Sequence, residues 1–346
     1  MTRNPRIAVV GAGLIGRKHI ELVAQYAHLA AIVDPDPAAK TLATEHEAHW
    51  FDVLADCLAD TALDGVVVAS PNQLHLAHGK ACLKAGLPVL IEKPLTDTVA
   101  AGHALLAAEK AAGVPILVGH HRRHSPVIEA AKAVLDAGRL GKLIAVNALF
   151  WLNKPDDYFD VEWRGREGGG PIYINLIHDI DLLQHLCGTI ISVQAKESRC
   201  ARGLAVEDTG AAILEFENGV LGTVAISDTV SSPWSWELTS GENPAYPKTD
   251  QSCYLLAGTE GSLSLPDLRF WTHAGPQSWW SEIKSEEMST APNDPVEAQL
   301  LHFLEVIAGR TAPRVTAADG LRNIEILEAL KRAAQHGGTQ TIGDLG

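Results

Sequence analysis

The stretch Gly11-Ala12-Gly13-Leu14-Ile15-Gly16 limits the fold more than any other part of the chain. A short apolar run, residues 6–10, leads straight into it, and helical periodicity through Ile20, Leu22, Val23 and Tyr26 follows. Strand, glycine turn and helix in that order are the setting in which G-x-G-x-x-G has meaning. Gly11 permits the turn, Gly13 lets a pyrophosphate approach the backbone, and Gly16 lets the helix pack close to the strand. The helix start, at Leu14 and Ile15, offers free N–H groups and a partial positive charge to phosphates. A second strand pattern, 29–33, ends in Asp34, about 20 residues past the glycines, where a dinucleotide fold places its ribose-binding acid. A carboxylate there accepts both ribose hydroxyls and repels a 2′-phosphate. NAD is therefore expected in preference to NADP.

The alternation continues. Apolar strand patterns at 63–69, 87–91 and 116–118 are separated by helical stretches beginning near Gln73 and Thr96. This spacing predicts βαβ units and a doubly wound parallel sheet. Lys93, in Ile91-Glu92-Lys93-Pro94, falls where a strand ends, which is where such sheets bind ligands. Taken alone it reads more readily as a solvated surface lysine. His75, after Ser70-Pro71-Asn72, either lines the nicotinamide end or is exposed near a helix start. The run Gly119-His120-His121-Arg122-Arg123-His124 cannot turn every side chain to one point, so it reads as a hinge rather than a metal cluster.

The second half has a different grammar. A helix at 126–137 and a strand at 143–151 precede a long loop, 153–170, that carries Trp163, Arg164 and Gly168-Gly169-Gly170. Loops of this length inside compact domains are often functional. Residues 172–186 have helical periodicity with a polar stripe through Asn175, His178 and His185, and polar groups on such a helix need partners or a cleft. His178, Asp181 and His185 share one face, but no metal is expected. Strand patterns at 191–202, 208–217, 220–229 and 253–257 predict a large, mainly antiparallel open sheet. The Trp- and Pro-rich segment 231–250 is too long for a plain hairpin and could cap a substrate site or an oligomer contact. Two helices, 296–308 and 317–335, close the chain. The expected division is a nucleotide-binding domain over 1–122 and a substrate-binding and oligomerising α/β domain over 123–346.

Composition removes several function classes. The net charge of −14 argues against nucleic-acid or anionic-membrane binding. Five scattered cysteines without CxxC spacing suit buried free thiols in a reducing compartment. The N-terminus, Met1-Thr2-Arg3-Asn4-Pro5-Arg6, runs into a strand pattern with no long apolar segment. No signal peptide or membrane span is expected, and a cytoplasmic location is.

Gly11-x-Gly13-x-x-Gly16, Asp34, Glu92-Lys93-Pro94, Gly168-Gly169-Gly170 and the helix bearing His178 together resemble the glucose–fructose oxidoreductase / inositol dehydrogenase / MocA family over nearly the whole chain. Leu176-Ile177-His178-Asp179-Ile180-Asp181 is most similar to the inositol dehydrogenase branch. The resemblance implies a Rossmann domain followed by an α/β domain with an open sheet, in a homodimer or homotetramer joined through that sheet. It also implies NAD(P)-linked chemistry at a secondary hydroxyl of a sugar or cyclic polyol. Lys93 and His178 then match the catalytic lysine and histidine. Ser70, Asn72, His75, Glu92, Pro94 and Arg164 fall to the cofactor, and His121, Arg122, Trp163, Asn175 and Asp179 to the substrate. One departure stands out: the family often has an aspartate four residues before the catalytic histidine, and here that position is Ile174.

The expected chemistry is loss of a substrate hydroxyl proton to His178 with hydride transfer to nicotinamide, while the Lys93 ammonium stabilises the developing alkoxide. Lysine as the base is the alternative. A non-catalytic NAD-binding regulator, which the same fold supports, would be expected to lose Lys93 or His178. Dihydrodiol dehydrogenase or imine reductase chemistry is a further possibility within the fold.

Overall fold

A computed structural model describes residues 4–343, so the first three residues of the N-terminal stretch lie outside it. Two compact units are resolved. Residues up to His124 group with Pro295–Ile324, and Ser125–Asp294 group with the described residues from Glu325 onward.

The first unit is built on six strands: β1 (Arg6–Val10), β2 (His28–Val33), β3 (His49–Phe51), β4 (Gly65–Val68), β5 (Val89–Glu92) and β6 (Ile116–Gly119). Their order is β3-β2-β1-β4-β5-β6 and every pairing is parallel. The helices α1 (Leu14–Tyr26), α2 (Ala38–Glu45), α3 (Leu54–Asp60), α4 (His75–Lys84) and α5 (Val99–Ala112) connect them. β4, β5 and β6 are buried at every position, which explains runs such as Gly65-Val66-Val67-Val68 that do not alternate. The strand order reverses between β1 and β4, and a crevice forms beyond the strand ends at such a switch point.

In the second unit, α6 (Pro126–Asp136), β7 (Leu143–Trp151) and α7 (Ile177–Cys187) precede three long strands, β8 (Ile190–Ser198), β9 (Thr209–Phe216) and β10 (Leu221–Ser227). A short helix, α8 (Trp236–Ser240), leads into β11 (Tyr254–Gly258), β12 (Ser262–Leu265), β13 (Arg269–His273) and β14 (Ile283–Glu287). With β15 (Gln340–Thr341) these make one sheet ordered β14-β13-β12-β11-β7-β10-β9-β8-β15. It is antiparallel except that β10 runs parallel to β7, a long-range pairing that successive strand patterns do not reveal. Val146, Ala148 and Phe150 of β7 face inward with Tyr254 and Leu256 of β11, and Leu176, Ile177 and Ile180 belong to the same core. The opposite face shows Ile213, Leu221 and Leu255, each about half exposed.

The C-terminal helices do not follow a single cut at 122/123. α9 (Pro295–Ile307) belongs wholly to the first unit, where Tyr26 donates to Glu297 at 2.7 Å. α10 (Ala317–His336) begins in the first unit and ends in the second. Among the described residues no helix is long and apolar enough to cross a membrane. Four of the five cysteines are buried and free, as expected; Cys200 is free but exposed.

Candidate active site

The glycine turn shows which of its residues serve folding and which leave room. Gly11 has φ +97°, and a Cβ there would lie 2.5 Å from the Ala69 carbonyl oxygen. A Cβ on Gly16 would lie 2.0 Å from the Gly11 carbonyl oxygen, so the first turn of α1 sits directly on the strand end. A Cβ on Gly13 would meet no protein atom within 4 Å. Gly13 caps α1 without a side-chain hydrogen bond, and the first turn holds no acidic residue. Leu14 beside it is 95% exposed. An open helix N-terminus with no competing carboxylate is a cradle for an anion, so these residues fit a pyrophosphate. Asp34, just past β2, accepts from the backbone N–H of Ala12 at 2.7 Å and of Asp36 at 2.8 Å. The expected ribose acid is thereby tied to the glycine turn.

Beyond the ends of β4, β5 and β6 lies a second group of polar side chains. Asn72 opens a short 3-10 turn, Asn72–Leu74, and Ser70 Oγ lies 3.0 Å from Nδ1 of His78. His75 is 1% exposed, which excludes the surface reading. Its two ring nitrogens lie 2.9 Å from the carbonyl oxygens of Pro94 and Ser70, so it bridges the loop after β4 to the cis Lys93–Pro94 bond. Glu92 is buried and pairs with Nε2 of His19, on α1, at 2.8 Å. Its other oxygen accepts from the Lys93 N–H at 3.2 Å. Burial pushes the Glu92 carboxyl up, but the hydrogen bond from His19 and the charge of Lys93 outweigh it and hold the group below the usual range.

Lys93 itself is half-buried. The strand register sets Glu92 against Gly119, where a Cβ would stand 2.8 Å from Glu92 Cα and 2.9 Å from its Oε2. Gly119 is therefore the space into which the carboxylate folds. His121 follows, and burial together with the cation of Arg122 pushes it down to about 3. It is a neutral ring at physiological pH. The three histidines of this run diverge: His120 meets Asn323, His121 lies by Glu92 and Lys93, and His124 packs on His302 at 5.2 Å.

In the second unit the 153–170 loop folds into two 3-10 turns, Asp156–Asp160 and Glu162–Gly165. Trp163 is half exposed, while Arg164 stacks 4.2 Å from the Tyr158 ring and donates to its carbonyl at 2.9 Å. A cleft of about 490 Å³ opens here, lined by Asn153, Asp156, Phe159, Arg202, Leu204 and Thr229. Ahead of α7 the chain makes a π turn, Ile172–Leu176, a geometry that recurs at functional sites. His178 is buried in the first turn of α7 beside Asp179. Asp179 accepts from the Tyr254 hydroxyl on β11, and Tyr254 packs on Trp236 at 5.5 Å. Asn175 presents a buried Oδ1 with no partner among the described residues. Trp236 is core, so part of the Trp-rich segment 231–250 braces the helix that bears His178.

Two family models match this chain: an oxidoreductase family with an NAD-binding Rossmann fold over residues 5–120, and a GFO/IDH/MocA C-terminal domain over 128–264. Inositol 2-dehydrogenase of Corynebacterium glutamicum is 30% identical over 66% of this chain and 68% of its own length. The chain belongs to the Gfo/Idh/MocA oxidoreductase family.

Within that family, the scyllo-inositol 2-dehydrogenase (NAD(+)) of Bacillus subtilis is 27% identical and aligns over 97% of this chain and 96% of its own. The WlbA dehydrogenase of Bordetella pertussis, solved with NADH and UDP-GlcNAcA, is 26% identical with a TM-score of 0.79, covering 98% of this chain and 99% of that one. This Gfo/Idh/MocA member is an NAD-binding oxidoreductase. Its first unit gathers Glu92, Lys93 and His121, and adds two residues that sequence reasoning did not assign, His19 and Gly119. A sequence signal for His19 exists. It is a buried histidine on the same face of α1 as Gly16, Ile20 and Val23, a position where a polar ring needs a partner.

Proposed function

We propose that this chain oxidises a secondary hydroxyl of a sugar or cyclic polyol with NAD rather than NADP. The observation that carries the reading is a lysine fixed beyond a parallel strand end, in the same unit as an open phosphate cradle and Asp34. NAD, when bound, accepts the hydride. Gly11, Gly13 and Gly16 shape the turn that holds its pyrophosphate, and Leu14 and Ile15 contribute backbone N–H groups. Asp34 takes the ribose hydroxyls, and its charge disfavours a 2′-phosphate. Ser70, Asn72, Glu92, Pro94 and Arg164 complete the cofactor's surroundings, with His75 fixing the loop beneath them.

The substrate hydroxyl gives its proton to His178, and the Lys93 ammonium holds the oxygen as negative charge develops, an effect typically worth a few kcal/mol. His121, Arg122, Trp163, Asn175 and Asp179 are assigned to substrate recognition. Polyol substrates suit the relatives named inositol dehydrogenases. The half-exposed Ile213, Leu221 and Leu255 support self-association through the outer face of the nine-stranded sheet.

Absorbance of NADH during a screen of inositols, aldoses and anhydrosugars, run with NAD and with NADP, tests the reading. Turnover with at least one polyol and at least tenfold higher kcat/KM with NAD is expected. Tight NAD binding without turnover on any of them would favour the non-catalytic regulator.

A further inference from the structure

We propose that His19 and Glu92 form a positioning pair whose task is to keep Lys93 an ammonium with its backbone fixed at the end of β5. The inference rests on the dehydrogenase reading for its purpose, but its geometry belongs to the first unit alone. His19 is fully buried in α1, and its Nδ1 has no partner among the described residues. A proton on Nδ1 would be stranded, so the ring proton is assigned to Nε2, where it is donated to Glu92 Oε1 across 2.8 Å. That bond directs the remaining oxygen, Oε2, toward the Lys93 N–H. Gly119 leaves the carboxylate its place, because any side chain there would strike Glu92. Three elements with no sequence proximity, α1, β5 and β6, thus converge to hold one buried negative charge next to Lys93.

The charged and titratable groups around the pair define what that carboxylate does. His121 faces the same region from the end of β6, with the charges of His120 and Arg122 acting on it, and Arg122 is a permanent cation. From α4, His75 holds the Pro94 carbonyl. Glu92 is the carboxylate in this group, and its charge interacts with that of Lys93, which favours the ammonium over the neutral amine. With Glu92 in place, Lys93 serves as a fixed positive charge for the substrate oxygen, and the proton acceptor lies elsewhere. Burial alone would neutralise Glu92, and the His19 hydrogen bond opposes this. That is the reason for a histidine on the inner face of α1.

The Lys93 amine can be read without a substrate, by competitive acetylation of the full chain followed by peptide mass spectrometry. Glu92→Gln keeps the side-chain volume and an acceptor for His19 but removes the charge. At pH 7.5 Lys93 in this variant should acetylate roughly tenfold faster than in the wild type, the change that one unit in acidity gives, with Lys84 as internal reference. His19→Leu should move Lys93 in the same direction, and His19→Gln, whose amide can donate to Glu92, should move it back. Cooperative thermal melting verifies that each variant is folded. Lys93 reactivity in folded Glu92→Gln within twofold of wild type would overturn the proposal. Where a polyol substrate is turned over, the alkaline limb of kcat/KM should also shift to lower pH in Glu92→Gln. Failure of the wild type to turn over any polyol would refute the proposed function, while the acetylation rates would still decide for or against the pair.

Discussion

Gly13 and Gly16 separate cofactor binding from folding, and alanine at each position tests that separation. Gly16→Ala places a methyl 2.0 Å from the Gly11 carbonyl oxygen and 2.8 Å from its carbon. Ordinary contact is about 3.4 Å or more, so α1 must move off the strand by more than ~1 Å. Overpacking of this kind costs about 1–3 kcal/mol or more, and the better helix propensity of alanine returns at most about 1. A net loss near 2 kcal/mol lowers Tm by roughly 4–8 °C for a domain of this size. Gly13 has φ −70°, which alanine adopts freely, and no atom within 4 Å of its Cβ. The weaker alanine N-cap and the reduced freedom of the unfolded chain roughly cancel, so the melting of the cofactor-free protein should change by less than about 3 °C. The same methyl stands where a phosphate oxygen must reach the helix N–H groups. Loss of one charge-assisted hydrogen bond, about 1.5–3 kcal/mol, raises Kd for NADH roughly 10- to 150-fold. Thermal melting without cofactor and NADH fluorescence titration read the two effects. Gly13→Ala binding NADH within threefold of wild type, or melting as low as Gly16→Ala, would refute the reasoning.

Three further outcomes follow from the packing. Tyr254→Phe removes a hydroxyl donated to the buried Asp179; a hydrogen bond to a charged group contributes about 1.5–3 kcal/mol, so urea unfolding should show a loss near 2, and a change under 0.5 would contradict the role. Lys331 bridges Glu197 at 2.5 Å and the buried Glu207 at 2.8 Å. Lys331→Met should cost about 3–5 kcal/mol by stranding Glu207, with much of the loss recovered in the double variant with Glu207→Gln. Burial and nearby cations, Arg122 for His121 and Arg314 for His124, push the two histidines down to about 3 and about 2. The unfolded chain binds their protons near pH 6.5 and the folded chain does not, so this stability is present above 6.5 and is lost as pH falls toward 3. Tm should therefore drop between pH 7 and pH 5, less steeply in His124→Gln; a flat profile would contradict the burial of these rings.

The parallel sheet was legible because its strands are continuous apolar runs separated by helices, and the 6–10, 29–33 and 116–118 patterns fall on β1, β2 and β6. α2, β3 and α3 were not, since eight, three and seven residues hold too little periodicity to register. β14 is exposed at every position and, with Ile283 followed by Lys, Ser and two Glu, carries no alternating hydrophobic pattern. The parallel pairing of β7 and β10 joins strands some seventy residues apart, and alternation says which face a residue takes, not which strand lies beside it. The return of α9 to the first unit is hidden for the same reason. Its contacts with Tyr26 and Gly65 are made at very long sequence separation.

The site divides along the same line. Gly11, Gly13, Gly16 and Asp34 are readable because their spacing is local and each has a backbone reason. The support of Lys93 is not, because His19 lies 73 residues from Glu92 and only the folded sheet brings them together. The substitution at Ile174 is sharpened by the same consideration. Asp179 is buried and its Oδ1 accepts from the Tyr254 hydroxyl, which anchors α7 to the sheet. Asn175 sits in the π turn with a buried amide oxygen that no described residue fills. An amide oxygen accepts a hydroxyl proton but adds no charge. With isoleucine at 174, this turn therefore offers a neutral acceptor in place of a charged one, held by the π turn and by the Tyr254–Asp179 anchor of α7.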